Sequence, residues 1–121
     1  MKITLISGAG SGIGLSIAKK YYNNNHKIIL LVKNNIQKKK LERIFNKEKR
    51  VELFAGNLTD FKFIKKLSKK IKIVDNIINN AATRNDSHFI NVKKKDLDYL
   101  INLNFKSAFF LTQVFIKKIF N

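Results

Sequence analysis

Short apolar runs alternate with longer amphipathic stretches along the whole chain. Ile3 to Ile6 is apolar and stops at Ser7 and a glycine cluster, which predicts a buried strand. Ile13, Ile17, Ala18, Tyr21 and Tyr22 recur at helical spacing and predict a helix that ends at Asn23-Asn24-Asn25. Ile28 to Val32 is an unbroken β-branched and leucine run, the pattern of a strand buried on both faces. Asn34 or Asn35 can cap a second helix carrying Leu41, Ile44 and Phe45. Val51 to Ala55, closed by Gly56, reads as a third strand, and Thr59 or Asp60 caps a helix with Phe63, Ile64, Leu67 and Ile71. Ile73, Val74, Ile77 and Ile78 predict a fourth strand, and the polar stretch from Asn79 to Asn91 a loop. Leu97, Leu100 and Ile101 begin helix again, and a long apolar-rich helix is expected from about Asn104 to Phe120.

Strands that alternate with helices imply right-handed crossovers, a parallel sheet and helices on both faces. The expected class is therefore α/β, one domain over residues 1–121, with no linker, internal repeat or low-complexity segment beyond a lysine bias. Apolar residues make up 45% of the chain and ten phenylalanines are spread along it, enough for a packed interior. No apolar run approaches the roughly 18 residues that cross a bilayer, and no secretory signal pattern opens the chain. Cytoplasmic location, with no membrane partner, is the expectation. Cysteine is absent, which removes disulfides, thiolate chemistry and cysteine-held zinc. His26 and His88 stand without acidic companions at ligand spacing, so no metal site is expected.

The formal net charge is +17. Such a balance attracts polyanions. Its lysines are scattered, though, and mostly alternate with apolar residues at helical spacing, as on a solvated helix face. A basic nucleic-acid-binding protein is thus the remote alternative.

The candidate chemistry sits between the first strand and the first helix, in Ser7-Gly8-Ala9-Gly10-Ser11-Gly12-Ile13-Gly14. A helix N-terminus there presents unpaired N–H groups and partial positive charge, and glycine lets phosphates approach the backbone. The spacing lacks the third glycine of G-x-G-x-x-G and the Lys-Ser/Thr of a P-loop, but fits G-x-x-x-G-x-G through Gly8, Gly12 and Gly14. That placement favours a dinucleotide over a mere tight turn.

This loop resembles the Thr-Gly-x-x-x-Gly-Ile-Gly motif of the short-chain dehydrogenase/reductase family, with Ser7 keeping the threonine's hydroxyl. Three further segments match in order. Asn57-Leu58-Thr59-Asp60 resembles the family's Asp-Leu-Thr-Asp, whose first residue binds adenine. Asn79-Asn80-Ala81-Ala82 resembles its Asn-Asn-Ala-Gly. Asn102-Leu103-Asn104-Phe105 resembles the helix that carries a catalytic-site asparagine, here Asn104. Thr83-Arg84-Asn85-Asp86 is loosely similar to a Thr-Arg-Asp stretch of the 3-oxoacyl-(acyl-carrier-protein) reductases, shifted by one. The resemblance covers essentially the whole chain. It implies the N-terminal NAD(P)-binding half of a Rossmann-like doubly wound sheet, incomplete at four strands in order 3-2-1-4. It implies cofactor contacts from Gly8, Ser11, Gly12, Ile13, Gly14, Lys33, Asn57, Leu58, Asn80, Ala81 and Ala82.

Dinucleotide sites that select NAD place an acid at the end of the second strand, on the ribose 2′-hydroxyl. Val32-Lys33-Asn34 offers none, and Lys33 matches a position where NADP-using relatives carry arginine, so NADP is favoured over NAD. Read without the resemblance, Lys33 is one solvated lysine among many. The resemblance further implies hydride transfer between NADPH and a carbonyl or alcohol substrate by a Ser and a Tyr-x-x-x-Lys. Neither stands here: Tyr21, Tyr22 and Tyr99 precede Asn25, His26 and Leu103. Asn104, which in the family helps hold a water in a proton relay, is the one catalytic-site residue expected. The expectation is a truncated chain, inactive alone. The alternatives are a non-catalytic NADP-binding module or half of a split enzyme. The last helix is apolar on more than one face and the fourth strand would lie at a sheet edge, so a homo-oligomer or a complementing C-terminal chain is expected to cover them.

Overall fold

The computed structural model describes residues 1–120, the side chain of Phe120 excepted. The expectation of an apolar Phe120 therefore lies outside the described side chains. Four parallel strands, β1 (Ile3–Ser7), β2 (Lys27–Val32), β3 (Val51–Ala55) and β4 (Asn76–Ile78), form one sheet in the order β3-β2-β1-β4. Between them run α1 (Gly12–Asn23), α2 (Asn35–Ile44) and α3 (Phe61–Lys70), and after β4 come α4 (Lys94–Ile101) and α5 (Ala108–Phe120). This is the α/β doubly wound arrangement that the alternating pattern predicts, in the expected strand order.

The side-chain period of two along a strand sorts the core into two layers. Leu5, Ile29 and Leu31 face α3 and α5 and pack with Ile64, Leu67, Leu111 and Phe115. Their neighbours Ile6, Ile28, Leu30 and Val32 face the other way, onto Ala18, Leu41 and Phe45 of the α1–α2 layer. Because β1 and β2 are covered on both faces, they read in sequence as unbroken apolar runs. Asn34 caps α2 by accepting from the Gln37 N–H at 2.9 Å, and Asp60 caps α3 by accepting from the Lys62 N–H at 3.0 Å. Of each pair of candidate caps, the other lies one step outside the capping geometry.

Two expected boundaries need correction. The fourth strand is shorter than its apolar run: Ile73 is 60% exposed and only Asn76–Ile78 pair with β1. Val74 is buried against the α3–α5 layer as the chain leaves α3, and regular pairing begins after Asp75, whose N–H donates to the Ile3 carbonyl at 2.8 Å. The last helix, expected from about Asn104, instead runs continuously from Lys94: α4 passes into α5 through a π-helical segment, Asn102–Ser107. The loop from Asn79 to Asn91 also ends in a short 3₁₀ turn, Phe89–Asn91.

The α4–α5 helix buries Ser107, Leu111 and Phe115 but leaves Phe105, Phe109 and Ile116 exposed. With Asn79, Thr112 and Gln113 these line an apolar groove of about 560 Å³. Among the described residues no helix is long and apolar enough to cross a membrane.

Candidate functional site

A cavity of about 640 Å³ opens at the carboxyl ends of the strands. That is where side chains and loop backbone converge in a doubly wound sheet. Its floor is the loop from β1 to α1. Ser11 is the N-cap residue of α1 with extended backbone, and its hydroxyl makes no capping bond. The first N–H groups of α1 are therefore not satisfied by that side chain and face a ligand or water.

Two glycines in the loop answer to different demands. Gly12 has φ +53° and nothing within 4 Å of the place a Cβ would occupy, so only its backbone conformation requires glycine; it lines the cavity. Gly14 is helical, and a Cβ there would stand 2.1 Å from the Gly8 carbonyl oxygen. It is the close approach of α1 to the loop that excludes a side chain. Gly14 accordingly does not line the cavity, although the motif includes it.

The loop is braced from β4. The Ser7 hydroxyl, 2% exposed, accepts from the backbone N–H of Asn80 at 3.1 Å and of Ala81 at 3.0 Å. The Asn80 side chain donates through Nδ2 to the Gly8 carbonyl at 3.0 Å. The hydroxyl shared by serine and threonine at this position is therefore an acceptor that ties two motifs together. Asn80 lines the cavity chiefly as a strut.

Gly8, Ser11, Gly12, Ile13, Lys33, Asn57, Leu58, Asn80, Ala81 and Ala82 all line this one cavity. Asn57 faces it with its amide partly committed. Its Oδ1 accepts from Thr59 N at 2.9 Å and Thr59 Oγ1 at 2.7 Å, which leaves the NH₂ free to donate. Asn104 does not line the cavity. It sits in the π-helical segment behind the cavity wall, its amide closed on the backbone of Thr83.

The lining also includes residues that were not expected to contact a cofactor: Gln37, Thr83, Tyr99 and Leu103, together with Gly10, Leu31, Val32 and Gly56. For Gln37 the signal was present: Asn-x-x-Gln at Asn34 to Gln37 is a capping-box spacing. Here Gln37 Oε1 accepts from the Lys33 N–H at 3.2 Å and so fixes the end of β2. Lys40, one turn on, points Nζ to the Gly10 carbonyl at 3.4 Å. Among the described residues no aspartate or glutamate lines the cavity, and Lys33 is its one lysine or arginine. The site is thus electropositive, and its lining combines polar loop residues with the apolar Leu58, Ala82 and Leu103. Among the described residues no group of three or more His, Asp or Glu side chains is placed to hold a metal ion.

A profile of the short chain dehydrogenase family matches residues 2–121. The chain belongs to that family, whose members use a nicotinamide dinucleotide cofactor. It is 28% identical over 123 residues to the 3-oxoacyl-(acyl-carrier-protein) reductase FabG of Thermotoga maritima, an alignment covering 95% of this chain and 49% of the relative. To the FabG of Rickettsia prowazekii it is 31% identical, over 97% of this chain and 48% of the relative. A solved short-chain dehydrogenase from Streptomyces avermitilis superposes with a TM-score of 0.87 at 22% identity, over 97% of this chain and 45% of that one. The fold is therefore that of the family, and the chain spans about half the length of the curated relatives it matches.

Proposed function

We propose that this chain binds NADP(H) in the cavity at the carboxyl ends of its strands and is the nucleotide-binding part of an oxidoreductase. In that reaction hydride passes between NADPH and a carbonyl or alcohol substrate. The observation that carries the cofactor choice is a cavity with no carboxylate and with Lys33 on its wall at the end of β2. An NAD-selecting acid is missing where it would hold the ribose 2′-hydroxyl, and a cation stands in its place. The residues present fit the group. The open side of Gly12 and the N-terminus of α1 offer backbone N–H groups to a pyrophosphate, and Lys33, with Lys40 close to the loop, offers charge to a 2′-phosphate. Asn57, Leu58 and Leu103 lie where the base end would rest. The bound cofactor supplies the hydride; these residues bind and orient it.

Asn104 fits a positioning role better than direct contact with a reacting group, since its amide is engaged with Thr83. The serine and the Tyr-x-x-x-Lys that family chemistry requires are not among these 121 residues. Turnover then needs them from further sequence or from a complementing chain. The exposed Phe105, Phe109 and Ile116 support a covering partner for the α4–α5 helix, either that segment or a second copy of the chain.

The test is calorimetric titration of the 121-residue chain with NADPH, NADH, 2′,5′-ADP and 5′-AMP. We expect the 2′-phosphorylated ligands to bind at least tenfold tighter than their partners, and Lys33→Ala to erase most of that ratio. Equal affinity for both series would reverse the cofactor choice, and no binding at all would remove the cofactor reading.

A further inference from the structure

Tyr99 is unlike the other two tyrosines. Tyr21 stacks edge-on against His26, and Tyr22 packs against Phe45 with the Arg50 guanidinium 4.1 Å from its ring centre. Both are spent on the packing around α1. Tyr99 belongs to neither core layer, pairs with no other aromatic ring, and its hydroxyl has no hydrogen-bond partner among the described residues. It is 48% exposed and, among the described residues, is the only aromatic side chain lining the large cavity.

Its place in the helix explains its reach. Tyr99 lies four residues before Leu103, and residues so spaced share a helix face. Helical side chains lean toward the N-terminus, so the phenol extends outward from Leu103 along the cavity wall. Leu58, Ala82 and Leu103 bring apolar surface to the lining, and Tyr99 adds a flat, polarizable face to it. A purine needs this combination: apolar contact for its faces and a donor or acceptor near its edge. The phosphate-binding loop supplies no aromatic face.

We propose that Tyr99 is the stacking wall for the adenine ring and sets the affinity of the base end of the site, a positioning role that rests on the cofactor reading above. The phenol ring carries the contact; its hydroxyl adds at most one exposed hydrogen bond.

The chain contains three tyrosines and no tryptophan, so tyrosine emission can report on the site directly. The experiment titrates the 121-residue chain, Tyr99→Phe and Tyr99→Ala with 2′,5′-ADP, and with inorganic pyrophosphate as a probe lacking a base. Calorimetry and tyrosine emission are read together. We expect 2′,5′-ADP to change the emission saturably in the wild type, and that change to vanish in Tyr99→Phe with affinity kept within about twofold. Tyr99→Ala should lose about tenfold in affinity for 2′,5′-ADP, the scale of one base–aromatic stack, and nothing for pyrophosphate. If 2′,5′-ADP binds the wild type and Tyr99→Ala equally, the stacking role is wrong and the cofactor reading stands. Equal losses for both probes would mean a merely structural role and would also overturn it. If 2′,5′-ADP does not bind the wild type, the cofactor reading fails and the role of Tyr99 fails with it.

Discussion

Asn104 closes its side-chain amide on both backbone groups of Thr83: the Thr83 N–H donates to Oδ1 at 2.7 Å, and Nδ2 donates to the Thr83 carbonyl at 2.7 Å. The pair reproduces, with one side chain, the reciprocal bonding of two strand residues. It pins the chain just after Ala82 to the π-helical segment, where a wider turn presents a side chain that regular helical spacing would rotate elsewhere. Thr83 lines the cavity, so Asn104 shapes the site from outside it.

Replacing Asn104 by Asp tests that geometry. A carboxylate can still accept from the Thr83 N–H but faces the Thr83 carbonyl with no proton to give. Both groups are exposed, so the loss of stability should be about 1 kcal/mol, read from urea unfolding midpoints. Cofactor affinity should fall with it, because the cavity wall is no longer held. An Asn104→Asp protein with unchanged affinity would show that Thr83 keeps its place unaided.

Ser7 should cost more than Asn104 when removed. Its hydroxyl is the single side-chain acceptor for two backbone N–H groups, and it is buried. Ser7→Ala leaves both donors without that partner, at about 2 kcal/mol, the desolvation cost of a buried unpaired group. The measurement is again the urea midpoint. A change below about 0.5 kcal/mol would mean that water enters and replaces the hydroxyl.

How far these relations were legible differs from element to element. β1 and β2 stood out because strands covered on both faces are apolar throughout. The glycine loop stood out because left-handed backbone at Gly8 and Gly12 and close approach at Gly14 are demands that glycine meets. The fourth strand was overread, because an apolar run records burial and Val74 is buried without pairing regularly. The π-helical segment left no trace, since one widened turn shifts the apolar period by less than the scatter of a short pattern. Tyr99 was passed over for a similar reason: a tyrosine on an amphipathic helix looks like core until the cavity beside it is known.

The two glycines at the start of α1 should fail differently. Gly14→Ala drives a methyl into the Gly8 carbonyl, which is backbone and cannot swing aside as a side-chain end would, and within 2.5 Å of Asn80 Nδ2 as well. We expect a loss above about 2 kcal/mol, comparable to overpacking a core, and loss of binding through collapse of the loop. Gly12→Ala meets open space and pays only for its left-handed backbone, about 1–2 kcal/mol. Gly12 lines the cavity, so affinity for 2′,5′-ADP should suffer more than stability does. Unfolding and binding measured side by side separate the two, and equal behaviour of the variants would contradict these contacts.

Lys118 gives a dependence on pH whose sign is opposite to that of a lysine in an ordinary salt bridge. Its ammonium reaches from α5 to the carbonyls of Ser68 and Ile71 at the end of α3 and lies 5.6 Å from the centre of the Phe115 ring. Desolvation, and secondarily the nearby Lys72 charge, hold its pKa below the usual 10.5. Between that lowered value and 10.5 the unfolded chain keeps a proton that the folded chain has released, so stability rises with pH across this window. Below the window both states are protonated and the folded state bears the full cost of the partly desolvated charge. Lys118→Met removes the titration while retaining a long apolar side chain over Phe115. We therefore expect the stability difference between wild type and Lys118→Met to be constant near neutrality and to shift in favour of the wild type as pH climbs toward 10.5. Comparing the pair cancels the general relief of repulsion as the other lysines lose charge. A shift in favour of Lys118→Met would mean that the two carbonyls hold the proton more strongly than desolvation expels it.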